Sequence, residues 1–230
     1  MPTPPPPPAD LAAQLVRADA QLQQRVTVQA ADVEQLVELR LARSPALQRA
    51  VVRLLPSRLA RDVTDDVIAR RDLLRLAPKK PGPPVRLGSA LPVARLRALY
   101  MEGQRQSGVA WQVLAAVNFV ESDFGRLREP SASGAQGPMQ FIPSTWAAYG
   151  RGDVHQPRAA ILAAARYLRA AGAPADERAA LLRYNPSSLY VDAVERYAGR
   201  IRRDPSSLRV FYARTPLVRY DPARAGVPRR

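Results

Sequence analysis

One acid stands out by its position in the stretch Asn118 to Tyr149, NFVESDFGRLREPSASGAQGPMQFIPSTWAAY. An apolar, Ala-rich run from Trp111 to Val120 has the length of a buried helix. It stops at Glu121-Ser122-Asp123-Phe124-Gly125, where Gly125 is suited to close it. Glu121 therefore falls in the last turn of an apolar helix. Apolar surroundings and the negative end of the helix dipole both disfavour its charged form and push its pKa up. A carboxylic acid still protonated near neutral pH is what general-acid catalysis needs. A lone Glu at a helix end more often has no role, so the residues after it must decide.

Those residues form a loop of small side chains and glycines, SASGAQGPMQ, that lets backbone approach a ligand closely. Pro143-Ser144-Thr145-Trp146 then reads as a helix start. Gln140 in the loop can offer a donor and an acceptor to a sugar amide or hydroxyl. An acid at a helix end faced by such a loop has the parts of a sugar-cleaving site. Ordinary glycosidases place two carboxylates across the scissile bond, and the candidates for a second are Asp123, Glu129 and Asp153. On a helix Asp123 would point about 200° away from Glu121, and the other two sit in loops. None is a clear partner.

The motifs ES-x-FG, then SGAQGPMQF-x-PSTW, then Tyr184-Asn185 carry a resemblance. In order and spacing this part of the chain, roughly residues 93 to 202, resembles the lytic transglycosylases of the soluble and goose-type-lysozyme superfamily, in its actinobacterial-type branch. The resemblance implies an all-α, lysozyme-like catalytic domain that cleaves the glycan strand of peptidoglycan, leaves a 1,6-anhydro-muramyl end, and needs no cofactor or metal. It implies a single acid, Glu121, acting first as acid and then as base while the substrate's N-acetyl group stabilises the developing cation; such substrate assistance is an exception to the two-carboxylate rule. It implies that Ser131, Gln140 and Ile142 line the glycan groove, that Tyr184 lies over the acid, and that Asn185 belongs to the same motif. Tyr190 either stacks on a sugar or packs, and Met139 and Trp146 read as core. Pro138 and Arg183 depart from the family pattern without removing a group the chemistry needs. The rival readings are a muramidase that uses water in place of the 6-hydroxyl and a non-catalytic wall-binding module.

Composition adds limits. The chain has 230 residues, a formal net charge of +15 and no cysteine. There is no disulfide framework and no thiol chemistry. Of its 35 basic residues only Lys79 and Lys80 are lysines, a bias that reads as genome composition as much as ligand selection. A basic surface favours polyanionic partners: nucleic acid, anionic lipid or anionic wall polymers. No recognised nucleic-acid motif accompanies the charge, and His155 alone makes no transition-metal site. No apolar run is long enough to span a membrane and no charged, apolar leader is present. A wall enzyme would act outside the cytoplasm, with its export signal removed or upstream.

The elements that must position Glu121 are helices. Residues 1–9 read as a Pro-rich linker. Residues 10–77 read as a helical accessory region, with Leu11, Leu15 and Leu22 at helical spacing and breaks at Ser44-Pro45 and Leu55-Pro56. Residues 78–91 read as a second linker, 92–203 as the catalytic domain, and 204–230 as a basic, largely irregular tail in which Val210-Phe211-Tyr212 is at most a short strand. Because every motif lies after residue 93, the N-terminal layer is expected to be dispensable, and a chain beginning near Pro84 is expected to fold and to cleave glycan.

Overall fold

The computed structural model describes residues 6–77, 86–131 and 134–217. Among these the chain is all α, with eleven helices and no strand beyond two isolated bridges. Four helices make the N-terminal layer: α1 (Pro8–Gln24), α2 (Val28–Arg43), α3 (Pro45–Val52) and α4 (Ser57–Leu76). Thr27 caps α2 by accepting from the Ala30 N–H at 3.3 Å, and Ser44 caps α3 by accepting from Leu47 N–H, with Pro45 in the first turn. Their inward stripes, including Leu11, Leu15, Val37, Leu41, Val63 and Val67, close on one another as a core of their own. Helix α1 starts at Pro8, two residues inside the expected linker, because proline is tolerated in a first turn whose N–H groups lack partners anyway.

The second layer holds α5 (Val93–Ser107), α6 (Trp111–Ser122), α7 (Pro143–Tyr149), α8 (Pro157–Ala170), α9 (Glu177–Tyr184) and α10 (Ser188–Arg203). Helix α6 is its axis. Residues 113 to 118 are all buried, so this helix is covered on every side, and Ala115 and Ala116 let neighbours come close. The main core gathers Leu96, Tyr100, Leu114, Ile161, Leu168 and Val194 around it.

The C-terminal segment corrects the sequence reading. Residues 207 to 213 form α11 (Ser207–Ala213), not an irregular tail or a strand. Leu208 and Phe211 are spaced i, i+3 and both are buried. The Phe211 ring stacks on Phe119 at 5.1 Å and meets Tyr197 edge-on at 5.2 Å. The arginines around these residues masked that short apolar stripe. Residues 218–230, the rest of the expected tail, lie outside the described residues, as do 1–5 and 78–85 of the expected linkers.

The two layers are not separable shells. Along the α4–α10 seam Arg196 pairs with Asp65 at 2.8 Å, and Arg203 pairs with Asp65 at 2.7 Å and Asp62 at 3.1 Å. Deeper in, Arg200 of α10 and Arg214 just after α11 meet Glu34 and Glu38 of α2 and Asp66 of α4, all buried. Burial would raise Glu34, but Arg200 and Arg214 outweigh it and hold the carboxyl at about 2. Glu38 goes the other way. Burial, with Asp66 and Glu34 beside it, pushes its pKa well above the usual range. Next to this cluster Asp32 accepts from the Thr215 N–H and hydroxyl, both at 2.7 Å, and Gln35 donates to the Thr215 carbonyl at 2.9 Å. The chain after α11 is strapped onto α2.

Candidate active site

Glu121 is half-buried in the last turn of α6, and the chain turns back immediately after it. Asp123, Phe124 and Gly125 follow in left-handed backbone conformations, at φ 49°, 62° and 82°. Such a conformation costs a non-glycine residue on the order of 1–3 kcal/mol. Packing holds it: the Phe124 ring lies between Phe119 at 5.2 Å and Tyr212 at 5.7 Å. The turn also explains why Asp123 escapes helical geometry. It does not point away from Glu121, as periodicity predicts, but lines the same cavity.

Two polar residues of the largely apolar α6 fasten the glycine loop to this turn. Asn118 Nδ2 and Ser122 Oγ both donate to the Pro138 carbonyl, at 2.8 and 2.6 Å. Ser122 Oγ also accepts from the Gly125 N–H at 2.8 Å, and Tyr100 donates to Asn118 Oδ1 at 2.6 Å. The loop itself is a tight reversal in which Gln136 and Phe141 exchange both backbone hydrogen bonds at 2.9 Å. Gly137 is obligatory there. Its φ is 74°, and a Cβ would stand 2.1 Å from the Val154 carbonyl oxygen. Asn118, Ser122 and Tyr100 were not singled out from the sequence, although a polar pair at i, i+4 inside an apolar helix is a readable signal.

Tyr190, in the first turn of α10 and 3% exposed, donates its hydroxyl to Glu121 Oε1 at 2.7 Å. Burial raises the pKa of Glu121 to about 7, against the smaller lowering effect of that hydrogen bond. Burial and the Glu121 charge keep the Tyr190 phenol well above its usual range, so it remains a donor. Burial, and after it the Glu121 charge, push the Tyr184 phenol well above its usual range, so Tyr184 lies near the acid without donating to it. As the last residue of α9 its ring packs between Phe141 and Tyr167, and its hydroxyl donates to the Met139 carbonyl, which ties α9 to the loop. The donor on the acid is Tyr190, neither stacked on open space nor merely packed.

A cavity of about 370 Å³ opens beside Glu121, lined also by Asp123, Asn185 and Tyr190. Asn185 caps the end of α9 and accepts from the Ser187 N–H at 3.2 Å. Gln140 is half-buried and donates to the Gly137 carbonyl at 3.0 Å, which leaves its amide oxygen for other partners. Ser131 Oγ accepts from the Ala135 N–H at 3.0 Å, and Ile142 is exposed at the start of α7. Ser131, Gln140, Ile142 and Tyr184 do not line this cavity. Part of its wall comes from regions without any motif: Gln35, Arg70, Leu73 and Leu76 of the N-terminal layer, and Pro216 and Leu217 after α11. Of the other acids, Glu129 pairs with Arg86 at 2.7 Å, and Asp153 accepts from the His155 N–H in an exposed loop. Asp123 has one oxygen 3.3 Å from Arg126 and the other buried without a partner, and burial raises its pKa to about 6.

Tyr190→Phe gives a signed test of this geometry. The phenol favours the charged form of Glu121, so its loss raises the pKa of the acid further. The high-pH limb of the activity profile should move to higher pH, while kcat falls roughly tenfold as a hydrogen bond to a charged group is lost. A limb that stays in place, measured over pH 5 to 9, would separate Tyr190 from the acid.

Residues 99–203 match the family model described as the Transglycosylase SLT domain. The chain is similar to the membrane-bound lytic murein transglycosylase F of Thiobacillus denitrificans (strain ATCC 25259 / T1), at 38% identity over 73 residues. That match covers 32% of this chain and 15% of the relative, so the chain spans only a small part of the relative's length. No solved structure matches the chain. Among the described residues no helix is long and apolar enough to cross a membrane.

Proposed function

Taking as premise that residues 99–203 are a transglycosylase SLT domain of the lysozyme-like superfamily, we propose that the protein is a peptidoglycan lytic transglycosylase. It acts on the cell envelope outside the cytoplasm and cleaves the bond from N-acetylmuramic acid to N-acetylglucosamine with one carboxyl group. The observation that carries the reading is the Glu121–Tyr190 pair at 2.7 Å, with burial raising Glu121 to about 7. Near neutral pH much of Glu121 holds a proton, which passes to the glycosidic oxygen as the C1–O bond breaks. The N-acetyl oxygen of the muramyl sugar shields the cation at C1. The Tyr190 hydroxyl steadies the carboxylate that Glu121 becomes. That carboxylate then takes the proton of the sugar's own 6-hydroxyl as O6 closes on C1. No water is consumed, and the acid returns to its starting form.

A muramidase is the second reading, and one feature favours it: Asp123 lines the same cavity and has a raised pKa. Its geometry argues the other way, since one oxygen is committed to Arg126 and the other is sealed from solvent. Digestion of purified sacculi followed by mass spectrometry separates the readings, because the anhydro end is one water lighter than a reducing end. Anhydro products are expected, and Asp123→Asn should keep activity within about tenfold. Reducing ends together with a collapse in Asp123→Asn would replace the single-acid mechanism by one in which a second carboxylate activates water.

A further inference from the structure

The described residues include seven arginines that are buried or half-buried, and six of them are held: Arg126, Arg196, Arg200 and Arg214 by carboxylates, and Arg71 and Arg166 by backbone carbonyls at 3.0 Å or less. Arg70 is the seventh. Among the described residues it makes no ion pair, and its side chain makes one long contact, 3.5 Å to Gln35 Oε1. Gln35 in turn is held by the Thr215 carbonyl. Arg70 lines the cavity that Glu121 lines, among apolar neighbours such as Leu73, Leu76 and Leu217. A half-buried guanidinium has lost part of its hydration, and five N–H donors fixed in a planar fork match a carboxylate.

We propose that Arg70 binds a carboxylate of the peptide stem carried by the muramyl sugar, so that the N-terminal layer reads the stem while α6 supplies the acid. The inference rests on the transglycosylase reading and adds a specificity-determining residue to it. The backbone of an N-acetylated glycan carries no anion, so the sugars themselves offer Arg70 no charge partner. The stem does. It hangs by a lactyl ether from O3 of the same ring whose C1–O bond is broken, two ring carbons from C1. A stem on that ring starts within the cavity that holds Glu121. The Asp123 carboxyl attracts Arg70 but forms no ion pair with it, one oxygen meeting Arg126 and the other lying buried. A site built to pair a charge also rejects the neutral analogue, since an amide leaves the half-buried guanidinium without a counter-charge.

The test compares two soluble glycan oligomers that differ only in the stems, free carboxylates in one and carboxamides in the other. The wild-type protein should prefer the acid form by about tenfold in kcat/KM, most of it in KM. Arg70→Gln should bring that ratio close to one, and Arg70→Lys should restore part of it. A wild-type ratio near one, or a ratio that survives in Arg70→Gln, overturns the assignment. The wild-type ratio is decisive even where the variant fails to fold. Calorimetric titration with the free acidic stem peptide keeps the two proposals apart. Arg70-dependent binding by a protein that leaves glycan intact would sink the transglycosylase reading and keep this one. Cleavage of both oligomers at equal rates would do the reverse.

Discussion

Glu121→Gln is expected to lower turnover on sacculi by about 10²–10⁴-fold, the range a positioned general acid supplies, with the helical fold intact by circular dichroism. The amide keeps the size of the side chain and can still accept from Tyr190, so the geometry survives while the proton cannot be delivered. The same substitution should change stability in a pH-dependent way. The native pKa of about 7 lies above the 4.5 of an ordinary Glu, so the folded protein holds its proton more tightly than the unfolded chain. The stability this group contributes is full below about pH 4.5 and is lost as pH rises through 7. A permanently neutral Gln does not pay that penalty. Denaturant midpoints for the variant and the wild type should coincide at pH 4, and the variant should be the more stable of the two at pH 8. Equal midpoints at both pH values would mean that Glu121 is not desolvated; turnover within tenfold of the wild type would mean that it is not the acid.

The second large effect concerns the N-terminal layer. A chain beginning at Pro84 is expected not to fold to a packed state, contrary to what the position of the motifs suggests. Helix α10 buries Tyr190, Val191, Val194, Tyr197 and Ile201, and α4 is its most extensive neighbour. Without α2 and α4, Arg200 and Arg214 lose every carboxylate they pair with, and Tyr190, whose hydroxyl holds Glu121, sits at the start of a helix with one flank uncovered. The guanidiniums then face water, so the main loss is the apolar face of α10 that α4 covers, set against a total stability of only about 5–15 kcal/mol for a domain. Uncovering several large apolar side chains, each worth about 1.5–3 kcal/mol when fully buried, is enough to cancel a margin of that size. Near-ultraviolet circular dichroism and sacculus digestion of the truncated chain check this. A cooperative unfolding transition with retained cleavage would show that the second layer stands alone.

The site was legible in the sequence where the chain itself carries local chemistry. Glu121 at the end of an apolar run, the glycine loop and the breaks before Pro45 and Pro56 are all encoded over a few residues. What was not legible is what distant parts of the chain do to one another. Helical periodicity points Asp123 away from Glu121, yet the left-handed turn at Asp123–Gly125 returns it to the cavity, and that turn depends on Phe119 and Tyr212 packing on Phe124. Tyr190 reads from the sequence as a residue that stacks or packs, and only the approach of α10 to the end of α6 makes it the donor to Glu121. Leu208 and Phe211 were lost among arginines. Arg70, Leu73 and Leu76 belong to an ordinary amphipathic helix, and only their approach to α6 makes them walls of a cavity.

The charge cluster between the layers also constrains the order in which the chain can complete itself during synthesis. Helices α2 and α4 emerge early and carry Glu34, Glu38 and Asp66, whose partners Arg200 and Arg214 lie 134 to 180 residues further on. Until those guanidiniums arrive, covering the carboxylate face of α2 and α4 would bury uncompensated charges, which costs several kcal/mol for each ion. Domains commonly fold from the N-terminus as they are made. In this chain the first layer can form its leucine and valine core early, but the face of α2 that meets Arg214 stays open until almost the whole described chain has been synthesised. Completion of the cavity wall at Gln35 and Arg70 is thereby deferred to the same moment, so a nascent chain carries Glu121 well before it carries a finished site.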